Sequence, residues 1–193
     1  MSAILAVCGS SFCAMVSDGR MVEEPILNNN PNVLTEQLPK LRKVNKNVIV
    51  GFAGDTLAAT EIINSLDEYD VRYLTLEKIV KVLHEKAVTV ESKPVGVRLI
   101  VGGRGRKGKF EIVTMGSQEN YEPQVREAIE GAHLIEGACS HTQISPFLKE
   151  FVRPQAAQWK NLDDIAKTLD ACIAEIAKND HSVNTNFYRQ LVR

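Results

Sequence analysis

The sequence is poor in the features that direct a chain to a membrane, to nucleic acid or to an oxidising exterior. No apolar run among its 193 residues approaches the ~20 needed for a helix to cross a bilayer. The N-terminus has no basic stretch leading into an apolar segment and a small-residue cleavage site, so no secretory signal is expected and the chain is placed in the cytosol. Neither sign of charge dominates. Twenty-three Lys and Arg face 24 Asp and Glu, and the net charge of -1 offers nothing to nucleic acid or an anionic membrane surface. The four cysteines, Cys8, Cys13, Cys139 and Cys172, show no CxxC spacing and lie among apolar neighbours, as in Ile4-Leu5-Ala6-Val7-Cys8. They are expected to pack as small reduced hydrophobes rather than to bridge or bind metal. His84, His133, His141 and His181 form no i, i+4 pair and no Cys/His cluster, so no metal or organic cofactor is expected.

What is present is an ordinary globular composition, 44% hydrophobic and 24% charged, long enough for a sizeable core in one domain over residues 1–193. Apolar runs at 3–8 and 12–16 flank Gly9-Ser10-Ser11, which predicts a β-hairpin. Both runs are continuously apolar rather than alternating, as strands covered on two faces are. Residues 19–39 are polar and turn-rich and read as a surface loop, with Asn28 to Asn32 its most irregular part. A strand is expected from Asn47 to Phe52. Two helices follow, the first capped by Asp55 with Leu57, Ala58, Ile62, Ile63 and Leu66 on its apolar stripe, the second starting at Thr75.

Strands at 95–102 and 110–114 come next, joined by the basic tip 104–109, with shorter ones near 119–124 and 132–136. A helix from His141 to Phe151, a second from Leu162 to Ala177 behind Asn161, and a last strand at 187–192 complete the order. Sheets apolar on both faces need helices outside them. Two stacked sheets between two helix layers, a four-layer αββα sandwich of the mixed α/β (α+β) class, is therefore the expected architecture.

Ser2 is the residue with the most chemical potential. Removal of Met1 would leave an α-amine and a hydroxyl on one residue. The amine has an ordinary pKa of about 7.7–8.0, so it can accept the hydroxyl's proton near neutrality. Many cytosolic chains begin Met-Ser, so this feature alone decides little.

Its surroundings add more. Ser2-Ala-Ile-Leu-Ala-Val-Cys8, Ala14-Met-Val-Ser-Asp-Gly-Arg20, Lys40-Leu-Arg-Lys-Val44 and Gly51-Phe-Ala-Gly-Asp55 together resemble the proteasome β-type, HslV-like family of N-terminal-nucleophile (Ntn) hydrolases. The resemblance is close over 2–20 and 40–60 and follows the order of elements along nearly the whole chain. It implies the Ntn sandwich fold. It lays Ser2 on the family's nucleophilic threonine, Asp18 on its aspartate, Arg20 on the residue two beyond and Lys40 on its lysine after a loop insertion.

In physical terms an Asp18–Lys40 ion pair beneath the terminus would favour an ionised hydroxyl and an unprotonated amine. Arg20 would orient Asp18, and N–H groups of the Gly51–Gly54 turn would form the oxyanion hole. The family's supporting Gly-Ser-Gly turn is matched by Gly137-Ala138-Cys139, leaving Ser140 as its stand-in, and its Asp-x-x-Ser by Asp180-His181-Ser182, one residue short. No propeptide is expected ahead of Ser2, and a retained Met1 would block the amine.

Two functions fit this pattern. One is a serine-type Ntn amidohydrolase or peptidase acting on polypeptide or a small amide. The other is a non-catalytic proteasome-like subunit used for assembly or binding. The resemblance also implies a homo-oligomer, a ring included, and an ATPase as a partner.

Overall fold

The computed structural model describes residues 2–23, 31–92, 94–140 and 143–193. Its strands are β1 (Ala3–Cys8), β2 (Cys13–Ser17), β3 (Met21–Val22), β4 (Val33–Thr35), β5 (Leu41–Lys43), β6 (Val48–Gly54), β7 (Val97–Arg104), β8 (Phe110–Gly116), β9 (Gln124–Glu127), β10 (Leu134–Cys139) and β11 (Tyr188–Val192). The helices are α1 (Thr56–Asn64), α2 (Leu76–Ala87), α3 (Ile144–Phe147), α4 (Arg153–Ala156) and α5 (Leu162–Asn179), a π-helical turn over Leu148–Val152 joining α3 to α4. One antiparallel sheet runs β10-β1-β2-β11 and the other β5-β6-β7-β8-β9.

The unbroken apolar run of β1 has a simple cause. Successive side chains of a strand point to opposite faces. Ile4, Ala6 and Cys8 enter the core between the two sheets, while Ala3, Leu5 and Val7 enter the core shared with α5 and the 148–152 turn. A third core packs α1 and α2 on the outer face of the other sheet, through Val48, Val50 and Phe52 of β6. The layers are therefore helix, sheet, sheet, helix, as expected. Each fully buried Val, Leu or Ile stabilises the fold by roughly 1.5–3 kcal/mol. An unbroken strand of buried residues beginning at Ala3 therefore anchors the backbone next to Ser2.

The predicted caps form. Asp55 accepts from the N–H groups of Leu57 and Ala58, Thr75 from that of Lys78 and Asn161 from that of Asp164. Other expectations are corrected. Leu57 is 68% exposed, because Ala58, Ala59, Ile62 and Ile63 make the buried face of α1. The 19–39 loop contains the β3–β4 ribbon, and the strand expected near 119 begins at Gln124, after Asn120 and Tyr121 turn the chain with positive φ. The helix expected from His141 starts at Ile144, His141 itself lying outside the described residues together with Met1 and Asn28–Asn30 of the loop.

Cys8 and Cys13 pack in the core as expected, but the reduced state expected for all four cysteines is wrong for these two. Cys8 and Cys13 face each other in register at the end of the β1–β2 hairpin and form a disulfide; Cys139 and Cys172 are free. Spacing could not show this, because the hairpin's register is what brings the two thiols together. No helix of the described residues is long and apolar enough to cross a membrane.

Candidate active site

Strand register assembles the site. Ile4 pairs with Ser17 on one side of β1, and Ala3 pairs with Cys139 on the other. One rung further along, the chain leaving β2 supplies Asp18 and the chain leaving β10 supplies Ser140, so both flank the start of β1. The Ser140 N–H donates to the Ser2 carbonyl at 3.0 Å, and the Asp18 N–H to the Ala3 carbonyl at 3.2 Å. Lys40 stands one position before β5, held by its own carbonyl accepting from the Phe52 N–H at 3.1 Å.

Asp18 is the hub. Its Oδ1 accepts from the Ala3 N–H at 2.8 Å and from Lys40 Nζ at 2.7 Å, and its Oδ2 accepts from the Arg20 N–H at 2.9 Å. Lys40 Nζ also donates to the Arg20 carbonyl at 2.6 Å. Ser2, Asp18 and Lys40 all have no solvent exposure. Burial pushes the Lys40 pKa below the ordinary lysine value, and the Asp18 charge opposes that shift. Such a pair survives burial only because every charged group in it is hydrogen-bonded.

Ser2 contributes a nitrogen and a hydroxyl to this centre. Its N–H donates to Ser140 Oγ at 2.7 Å, and Ser140 Oγ also accepts from the Gly54 N–H at 3.1 Å. Ser2 Oγ is buried and has no hydrogen-bond partner among the described residues. An unsatisfied buried hydroxyl costs roughly 1–3 kcal/mol, which calls for a reason.

The remaining expected residues divide. Arg20 meets Asp18 through its backbone N–H, not through its guanidinium. The guanidinium grips Glu36, with Nε to Oε2 at 3.0 Å and Nη2 to Oε1 at 3.0 Å, and donates to the His181 carbonyl at 2.6 Å. Gly54 belongs at the site. Its φ of +104° and a would-be Cβ 2.1 Å from the Gly96 carbonyl admit only glycine. Gly51 does not. It lies inside β6, where a Cβ would come within 2.8 Å of Leu41 Cδ2 and 3.4 Å of Ile4 Cδ1, so its smallness serves the packing of the two sheets. Ser182 donates through both its N–H and its hydroxyl to Asp180 Oδ1, and Cys139 Sγ donates to Asp180 Oδ2 at 3.6 Å. This cluster joins the chain beside Ser140 through Cys139, and among the described residues no hydrogen bond links Ser182 to Ser2.

Glu36 and Asn184 were missed. Asn184 Nδ2 donates to the Glu36 carbonyl at 3.0 Å, and Asn184 Oδ1 accepts from the Gly19 N–H at 2.9 Å, which ties the Asp18–Arg20 turn to the C-terminal segment. Neither residue carries a spacing signal, since they are 148 positions apart. Among the described residues, no group of three or more His, Cys, Asp or Glu side chains is arranged to hold a metal ion.

The model of the proteasome subunit family matches residues 2–189 of this sequence. The chain belongs to that family. No curated protein sequence matches it significantly. Solved structures similar to this proteasome subunit include eukaryotic HslV from Trypanosoma brucei, 16% identical over 99% of both chains with a TM-score of 0.63. They also include a Gly-1 mutant of Anbu from Hyphomicrobium sp. strain MC1, 13% identical over 100% of this chain and 82% of that one, TM-score 0.73. A third is Anbu of Pseudomonas aeruginosa, described as a helical assembly, 15% identical over 99% and 81%, TM-score 0.71. At such identities the likeness concerns the fold, and the family fold is the αββα sandwich described above.

Proposed function

We propose that this proteasome-family chain is an Ntn hydrolase that cleaves amide or peptide bonds with Ser2 once Met1 has been removed. The observation that carries the proposal is the unpartnered, buried Ser2 hydroxyl at the head of a strand whose next N–H is fastened to the Asp18–Lys40 pair.

Removing Met1 turns the Ser2 nitrogen, an amide in the longer chain, into an amine. That amine takes the hydroxyl's proton as Oγ attacks the substrate carbonyl, then passes it to the departing nitrogen as the C–N bond breaks. Water enters by the same route in reverse and releases the acyl group as a carboxylic acid. Lys40 and Asp18 form a fixed charge pair beside these atoms, Lys40 favouring anionic character at Oγ. Ser140 orients the amine, and the Gly54 N–H supplies the oxyanion contact once substrate displaces its bond to Ser140 Oγ.

The substrate is a polypeptide or a small amide. The working form is a cytoplasmic homo-oligomer, and an ATPase that delivers substrate is its natural partner class. The complete burial of Ser2 favours a second reading, a non-catalytic subunit that keeps Met1 and uses the fold for assembly.

Mass spectrometry of the protein from its native cell, followed by an electrophile specific for N-terminal nucleophiles, separates the two. The hydrolase reading expects loss of Met1 and one label on Ser2, abolished in Ser2→Ala. A retained Met1 with no labelling overturns it.

A further inference from the structure

A cavity of about 330 Å³ opens against Gly54 and Ser140, the two groups bonded to each other beside the Ser2 nitrogen. Resting on the hydrolase reading above, we infer that this cavity is the leaving-group subsite and that it takes a short, uncharged residue immediately after the scissile amide.

The side follows from the path of the proton. In an N-terminal-nucleophile reaction the amine that accepts the hydroxyl proton must hand it to the departing nitrogen, so the departing residue lies on the amine's side of Ser2. Ser140 Oγ, 2.7 Å from that nitrogen, is itself part of the cavity wall. A smaller cavity of about 140 Å³ is lined by Lys40, Arg42 and Phe52 instead and does not touch Ser140 or Gly54.

The preference follows from the lining. The volume is at the lower end of the roughly 300–1,000 Å³ of ligand pockets, enough for one or two small residues. Ala53, Ala138 and Gly116 keep the walls close, and Gly116 has no room to grow, since a Cβ there would come within 2.4 Å of Glu119 Oε2. Ser117, Gln118, Gln143 and Ser145 line the space with neutral groups able both to donate and to accept. Ser117 Oγ already accepts from the Val97 N–H at 3.2 Å, so its own proton is free to donate to a substrate carbonyl. The two charges in the lining, Arg98 and Glu119, are opposite and pair at 3.3 Å, so the wall carries no net charge to favour a charged substrate residue.

The test uses peptides sharing one acyl half and differing only in the residue after the bond. With Ser or Ala there, kcat/KM is expected to exceed that for Phe, Lys or Glu by at least about tenfold, the discrimination a pocket of fixed size can supply. Ser145→Trp places a large side chain at the exposed mouth. It is expected to lower kcat/KM for the Ser peptide by about tenfold relative to the rate at which a β-lactone labels Ser2. The lactone acylates Ser2 by ring opening and expels no separate leaving chain. Equal cleavage of the Phe and Ser peptides, or an unchanged ratio in Ser145→Trp, overturns the subsite while Ser2 labelling leaves the hydrolase reading standing. An unsubstituted protein that the lactone does not label overturns both.

Discussion

Asp18 and Lys40 are two opposite charges with no access to water, and their value lies in being together. Desolvating each alone costs several kcal/mol, which the 2.7 Å contact and the bonds to Ala3, Arg20 and the Arg20 carbonyl offset. Lys40→Ala leaves the Asp18 carboxylate buried beside backbone N–H groups and is expected to lower stability by about 3–5 kcal/mol, read as a fall in urea midpoint. Replacing both partners, Asp18→Asn with Lys40→Met, removes the uncompensated charge and is expected to recover most of that loss while abolishing Ser2 labelling. If the double variant is as unstable as the sum of the singles, the coupling is absent. Ser2 contrasts with this pair. Its hydroxyl is buried without a hydrogen-bond partner among the described residues, and the proposed hydrolase chemistry would use that oxygen.

At the scale of elements, the β1–β2 hairpin does two jobs. Its open end fastens the Ala3 N–H, next to Ser2, to Asp18, and its closed end carries the Cys8–Cys13 disulfide beside the Gly9–Phe12 turn. Both sulfurs sit in the core between the sheets, where Cys13 Sγ would lie 2.5 Å from a Cβ at Gly102, so that glycine lets β7 approach the bridge. A short loop closed in this way stabilises by about 2 kcal/mol through unfolded-state entropy. Under denaturing, non-reducing conditions two thiols, those of Cys139 and Cys172, are expected to titrate, rising to four with reductant. Four thiols without reductant would show that the hairpin closes without its bridge. Helices are plainer elements, and their caps at Asp55, Thr75 and Asn161 are local events in which a side chain meets an N–H two or three residues on.

The whole molecule exposes more large apolar side chains than its catalytic reading uses. Tyr73 is 79% exposed and Ile129 72%, and every residue of the edge strand β9 is open to solvent, Val125 at 57% included. An exposed edge strand and scattered apolar groups suit burial against further copies of the chain. Sedimentation at micromolar concentration is expected to find assemblies larger than the 21.4 kDa chain, and a species that remains monomeric counts against the homo-oligomer.

What the sequence by itself determined is whatever depends on neighbours along the chain. The double-sided apolar runs of β1 and β2, the caps and the helical stripes, and hence the layer order, are written in spacings of one to four residues. Ser2, Asp18 and Lys40 could be singled out as candidates because a known pattern carries them in order, with the local chemistry to match. Tertiary structure alone decided which candidates meet: that Ser140 reaches the Ser2 nitrogen, that Gly54 walls the site while Gly51 only packs, that the Arg20 guanidinium turns to Glu36, and that Cys8 bonds Cys13. These depend on the register between strands, as for Cys8 and Cys13, or on contacts between segments 16 to 138 residues apart, and no local spacing encodes either.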